Sequence, residues 1–357
     1  MKFFNIDMHI SVIADMKSIF QSLGHEVDDI SLSDHTWVFG REKGSIPLLN
    51  NGNWMRLSSD QMSEIFYETY KNHLSKYDAF IVTYPPAFAF LYKHFNKPII
   101  INIPIRYEWP FTFRSEEWKK LNDYLIEGYD SGKIILIANN LTDKIYAESF
   151  LGREITYIPS LCDYFPEKYT GNKDEVVYYA KSRINELSNA GIRYKQDVLV
   201  NHSYSDLLER KAVVHIPYNC SYMSIFEQYN ANMPLLVPDI DLLLELYQKN
   251  LALSEISFIK MYGAPPRSNQ LPINNEFDPN NHTDLAIIRA LADGSDFYSH
   301  EWMPHIHQFS SFDHLQELVN NLDFADISVQ MKSDSKERAQ KIHQMWNSLL
   351  HKLNGAL

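Results

Sequence analysis

The chain has 357 residues, 45% hydrophobic and 22% charged, which excludes disorder and collagen and makes two domains the default. Lys and Arg number 33 against 45 Asp and Glu, a formal charge of −12, which excludes a general field for nucleic acid or an anionic membrane. The two cysteines, Cys162 and Cys220, match no metal or redox spacing and fit a reducing compartment. The N-terminal apolar run is broken at Asn5 and Asp7, so no signal peptide is expected. No window approaches the roughly 18 apolar residues of a membrane span, and a cytoplasmic protein is expected.

Along the first half, short β-rich runs alternate with amphipathic stretches. Residues 3–6 read as a strand and 11–23 as a helix with Val12, Ile13, Met16, Ile19 and Phe20 at helical spacing, stopped by Gly24. Residues 25–32 are a second strand and 59–74 a helix. Strands 79–83, 98–103 and 133–138 are apolar runs suited to burial on both faces. A helix over 115–129 is expected to be capped by Ser115, with Glu116 and Glu117 in its first turn. Strand–helix alternation implies a parallel sheet with helices on both faces.

The pattern pauses between Pro159 and Glu175, and the polar, aperiodic run from Tyr164 onward reads as a domain junction. It restarts with strands 176–180 and 197–200, a short helix 205–211, strand 212–217, helix 224–233 and strand 234–238. A second Rossmann-like unit therefore extends to about residue 326. Residues 254–281 read as a proline-bearing irregular insertion or a long connection, and 335–353 as a strongly amphipathic helix. The boundaries expected are 1–165 for the first domain, 174–330 for the second, and a terminal helix within 333–357.

No G-x-G-x-x-G, P-loop or G-x-S-x-G motif occurs among the 12 glycines, so dinucleotide, P-loop and α/β-hydrolase chemistry lack their fingerprints. His300, His305, His307 and His314 cluster in sequence, and in a strand His305 and His307 would share a face as two zinc ligands could, but no third ligand at recognisable spacing completes that pair. A polar loop explains them, and no metal is expected.

Residues 197–239, DVLVNHSYSDLLERKAVVHIPYNCSYMSIFEQYNANMPLLVPD, decide the reading. The segment is similar to the donor half of GT-B glycosyltransferases, most of all the large retaining, nucleotide-sugar-dependent group. The seven-residue step from Glu227 to Pro234 matches that group's spacing. A second stretch, Ala138-Asn-Asn140 through Tyr157-Ile-Pro-Ser-Leu-Cys-Asp163, resembles the end of a GT-B N-terminal domain.

The resemblance implies two Rossmann-like domains facing across a cleft, with the C-terminal helix returning to the N-terminal, acceptor-side domain. It implies transfer of a sugar from a nucleotide-sugar donor to a carbohydrate or glycan acceptor, with retention and without a required metal or further cofactor. The alternatives are a GT-B-like sugar-nucleotide epimerase and a non-enzymatic sugar-binding protein. The donor side would be Lys181 and Arg183 for the pyrophosphate, His202 and Tyr204 for the base, and the amides of Tyr222, Met223 and Ser224 at a helix N-terminus. Glu227 would accept the ribose hydroxyls. Asn219 stands where the family carries the first of two glutamates. Ser224-x-x-Glu227 is also the spacing of a capping box, which needs no ligand.

In the first domain, Asp7 and His9 follow the first strand, where they would orient or deprotonate an acceptor hydroxyl; alternatively Asp7 or Ser11 only caps the helix. Arg106 and Glu108 follow a later strand at the same sheet edge and complete the catalytic candidates. Tyr107, Trp109 and Phe111 would stack on a sugar or serve as packing.

Overall fold

The computed structural model describes residues 1–50, 52–199, 204–263 and 270–356. These divide into two compact units: residues 1–160 with 270–279 and 342–356, and residues 161–263 with 280–341. Each is an α/β unit built on its own parallel sheet, the expected Rossmann-like class.

In the first unit six strands stand in the order β2-β1-β3-β4-β5-β6. They are β1 (Lys2–Asp7), β2 (Glu26–Ser31), β3 (Ala79–Val82), β4 (Ile99–Asn102), β5 (Ile134–Ala138) and β6 (Thr156–Tyr157). The crossovers carry α1 (Ile10–Ser22), α2 (Ser59–Leu74), α3 (Ser115–Asp130) and α4 (Leu141–Leu151). β3 (AFIV) and β4 (IIIN) are buried at every position, which is why they are continuous apolar runs rather than alternating ones. α1 buries Ile13, Met16, Ile19 and Phe20, and Phe20 meets Trp346 of the chain's last helix edge-on at 5.0 Å. Ser22 Oγ and His343 Nε2, 3.0 Å apart, add a polar contact beside it. α4 ends on Gly152 in the left-handed region (φ 57°), where a Cβ would lie 2.3 Å from Ile273. Glycine therefore lets the 270–279 segment lie against α4, with Ile273 N–H donating to Ser149 O at 2.7 Å.

The second unit orders its five strands β11-β10-β9-β7-β8. These are β7 (Lys173–Tyr179), β8 (Arg193–Tyr194), β9 (Arg210–His215), β10 (Leu235–Pro238) and β11 (His307–Phe309). Around them lie α5 (Asn185–Asn189), α6 (Lys195–Val198), α7 (Tyr204–Leu208), α8 (Met223–Asn230), α9 (Ile240–Gln248), α10 (Phe258–Tyr262), α11 (Leu285–Asp293), α12 (Phe312–Asn321) and α13 (Phe324–Ala356). The last has 33 residues, and its final part, from Ile342, belongs to the first unit.

Several expectations are corrected. Residues 197–198 close the short helix α6 instead of opening a strand; on the side of β7 away from β9 the partner is the two-residue β8, where Arg193 and Tyr194 face Val177 and Tyr178. The Lys-Gln-Asp content of α6 suits a helical turn better than a ladder. Ser115 is the first residue of α3, and the N-cap is Arg114, which makes no side-chain cap bond. Glu117 instead accepts from the Ser59 N–H of α2 at 2.8 Å. The insertion contains α10, and the terminal helix starts at Phe324, well before residue 335.

Candidate functional site

The carboxyl ends of parallel strands leave backbone amides and loop side chains at one sheet edge, where such sheets hold ligands. β7 and β9 are direct neighbours, with Tyr179 opposite His215, so the loops that leave them run side by side. Lys181 stands on the first loop. Its ammonium pairs with Glu255 at 2.6 Å and lies 4.4 Å from the centre of the Tyr218 ring on the second loop. Its side chain remains 51% exposed. Arg183 goes the other way, pairing with Asp197 at 2.6 Å and stacking over Tyr194 of the edge strand β8. The structure thus brings Lys181, and not Arg183, to the loop leading into α8.

That loop is ordered from within. Buried Asn219 accepts the Cys220 N–H at 2.8 Å, shaping the turn where the resemblance would have an acid. Tyr222 is the N-cap of α8 and offers it no side-chain cap; Met223 and Ser224 are its first two residues. The Tyr222 hydroxyl is 3.2 Å from His215 Nδ1, while His215 Nε2 is 2.9 Å from Gln228 Oε1. Burial pushes the His215 imidazole down to about 4, against the opposing Gln228 bond, so the ring is neutral. A neutral ring carries one proton; with Nε2–H donating to Gln228, Nδ1 accepts from Tyr222 and fixes the start of α8.

Glu227 is not a capping-box residue. The cap is Tyr222, so Ser224 lies inside the helix, and no reciprocal Ser–Glu pair forms. Glu227 is 2% exposed, and its two carboxylate oxygens accept the hydroxyls of Tyr164 and Tyr204. His202 lies outside the described residues. Tyr204, assigned to the base from sequence, therefore bonds to the proposed ribose acceptor.

In the first unit Asp7 ends β1 opposite Ser31 and is fully buried. Burial pushes its carboxyl up to about 7, against hydroxyls from Ser31 and Thr83, the latter donating to Oδ2 at 3.2 Å. Oδ1 has no hydrogen-bond partner among the described residues. His9 is the N-cap of α1 without a side-chain cap bond, so neither Asp7 nor Ser11 caps that helix. His9 as a residue is exposed, but its ring, edge-on to Tyr84 at 6.3 Å, is desolvated by the surrounding atoms, which push the imidazole down to about 4 and leave it neutral. Arg106 is half-buried in a left-handed conformation (φ 62°). Glu108 is fully buried, accepts the Tyr146 hydroxyl at 2.8 Å and is raised by burial to about 7.

Of these four, only His9 and Arg106 reach solvent; Asp7 and Glu108 are held in the interior. Tyr107 and Phe111 are also fully buried and serve as packing, while Trp109 is half-buried against Trp54. His305 pairs with Asp334 at 2.8 Å. Among the described residues no cluster of three or more metal-ligating side chains occurs, and no helix is long and apolar enough to cross a membrane.

Sequence reasoning missed His215, Gln228, Glu255 and Tyr164. A histidine within the apolar run Val213-Val-His-Ile216, and an aromatic pair, Tyr164-Phe165, within a polar junction, were the available signals.

No protein-family model matches the sequence. No curated protein matches it either. Solved structures with similar architecture include a glycotransferase of kitacinnamycin, at 8% identity and TM-score 0.44, over 99% of this chain and 98% of that one. Another is the glycosyltransferase SnogD from Streptomyces nogalater, at 11% identity and TM-score 0.43, over 97% and 98%. A third is the UDP-GlcNAc 2-epimerase from Neisseria meningitidis bound to UDP-GlcNAc, at 10% identity and TM-score 0.43, over 82% and 100%.

Proposed function

We propose that the chain transfers a sugar from a nucleotide-sugar donor to a carbohydrate acceptor, with retention. One observation carries this reading. Lys181 after β7 and the Tyr218–Ser224 loop after β9 meet at one sheet edge, at the start of the helix that bears Glu227. As the glycosidic bond to the donor breaks, negative charge grows on the leaving diphosphate. Lys181, oriented by Glu255, and the first amides of α8 would stabilise that charge, in place of a metal. Glu227 would select the ribose through its hydroxyls. His9 and Arg106, which reach solvent, are the acceptor-side candidates; Asp7 and Glu108 would act from behind them.

Incubation with UDP-, GDP-, ADP- and dTDP-sugars tests the reading. Release of free nucleotide that depends on a sugar acceptor is the expected result. A new sugar nucleotide would replace transfer with epimerisation, and sugar binding without turnover would replace it with a binding protein. Lys181→Ala is expected to lower kcat about tenfold with little change in KM, because leaving-group charge peaks in the transition state and the side chain is half exposed. A change in KM alone would remove Lys181 from the leaving-group role.

A further inference from the structure

Glu227 has an unusual set of partners. The hydroxyls of Tyr164 and Tyr204 occupy one carboxylate oxygen each, and these two residues lie 63 and 23 positions away in sequence. Two O–H donors on the two oxygens of one carboxylate are what a vicinal diol supplies when a carboxylate grips it. Both tyrosines are half-buried while Glu227 is 2% exposed. Their rings therefore cover the acid from solvent. Phe165 packs edge-on against Tyr204 with ring centres 4.1 Å apart.

We infer that Tyr164 and Tyr204 form a gate whose hydroxyls occupy the place of a ribose diol on Glu227, so that a nucleotide binds by displacing them. The inference rests on the reading of Glu227 as the ribose acceptor and adds what determines access to it. A carboxylate sealed to this degree cannot take a sugar diol in addition to both phenols. One set of hydroxyls must leave, and the net gain is the difference between two similar pairs of bonds. The specificity of the site for ribose is thereby set by the tyrosines as much as by the acid.

The segment that carries Tyr164 is pinned along α8 by other bonds. Asn230 Nδ2 donates to Cys162 O at 2.9 Å, Tyr169 N–H to Ala231 O at 2.8 Å and Lys168 Nζ to Asn230 O at 2.9 Å. Removing one hydroxyl therefore leaves the segment in place. Tyr204→Phe keeps the ring against Phe165, and Tyr164→Phe keeps the pinned backbone. Each variant also leaves one phenol bonded to the acid.

The test titrates the full chain with UDP, GDP and ADP and with their 2′,3′-dideoxy counterparts. Tyr204→Phe and Tyr164→Phe are each expected to bind at least one ribonucleotide about tenfold more tightly than the native chain, with dideoxynucleotide affinity unchanged. Adding Glu227→Gln to Tyr204→Phe should abolish the gain. Unchanged or weaker ribonucleotide binding in both variants overturns the gate, as does an equal gain for dideoxynucleotides. If the native chain releases nucleotide from its donor while the variants show no gain, the gate alone fails. If neither native chain nor variants bind any nucleotide, the ribose reading falls and the gate with it.

Discussion

Asp7→Asn is expected to raise the unfolding free energy by about 4 kcal/mol at pH 8 and to change it little near pH 4. The Asp7 carboxyl is fully buried, and burial moves it from an ordinary 3.8 to about 7. Each tenfold change in proton affinity between unfolded and folded chain corresponds to about 1.4 kcal/mol, so a rise from 3.8 to about 7 gives the figure. The direction follows from proton counting. Between pH 4 and 7 the folded chain holds a proton on Asp7 that the unfolded chain has released, so stability falls as pH rises through this window. Below it both states are protonated and no penalty exists; above about 7 the penalty is complete. Asn imitates the protonated acid and removes the penalty, while the Ser31 and Thr83 hydroxyls turn to accept from its amide.

Glu108→Gln should act in the same direction by about 3 kcal/mol, since burial raises that carboxyl from 4.5 to about 7. Its Tyr146 bond survives on the amide oxygen. Denaturant unfolding of native chain and variants at pH 4.5 and 8 measures both effects. Differences that are equal at the two pH values would mean that neither acid holds its proton in the folded chain.

Glu227→Gln is expected to destabilise the unliganded protein by about 1–3 kcal/mol. A capping box predicts otherwise, because Gln serves at that position as well as Glu. The structure decides between them. Glu227 lies in the body of α8, with both oxygens accepting phenolic protons in a nearly sealed site. Gln keeps one acceptor and turns the other into a donor. Thermal and denaturant melts of the unliganded variant measure the loss, and an unchanged melt would mean that the two tyrosine bonds to Glu227 add nothing that Gln cannot supply. Tyr222→Phe offers a contrast on the same helix: it removes only the weaker bond to His215, whose Nδ1 lies 3.2 Å from the hydroxyl.

Much of the architecture was legible because it is local. Ala79–Val82 and Ile99–Asn102 are apolar without alternation, and only a strand covered on both faces needs that pattern. The spacing of Ile13, Met16, Ile19 and Phe20 declares the face that α1 buries. The bounds of α2, residues 59–74, follow from the same periodicity. Lys181 was also legible, since a cation just past a predicted strand must emerge at the sheet edge.

What the sequence left open depends on partners distant along the chain. Whether residues 197–198 extend or coil was settled by the pairing of Val177 and Tyr178 with Arg193 and Tyr194. Ser115 looked like a cap, but Arg114 took that position and Glu117 turned to the Ser59 amide of a neighbouring helix. Asp7 and Glu108 carry no mark of burial in their own neighbourhoods; the strands and helices that enclose them decide it, and with it the pH at which they titrate.

The sequence by itself determined two parallel α/β units and the loops at the carboxyl ends of their strands, because hydrophobic period and turn residues act over one element at a time. Only the tertiary structure decided that Lys181 turns toward Tyr218 while Arg183 turns away, and that Glu227 meets Tyr164 and Tyr204. Such side-chain bonds join segments whose separation in sequence carries no period. Their geometry is fixed only when packing closes the site around them.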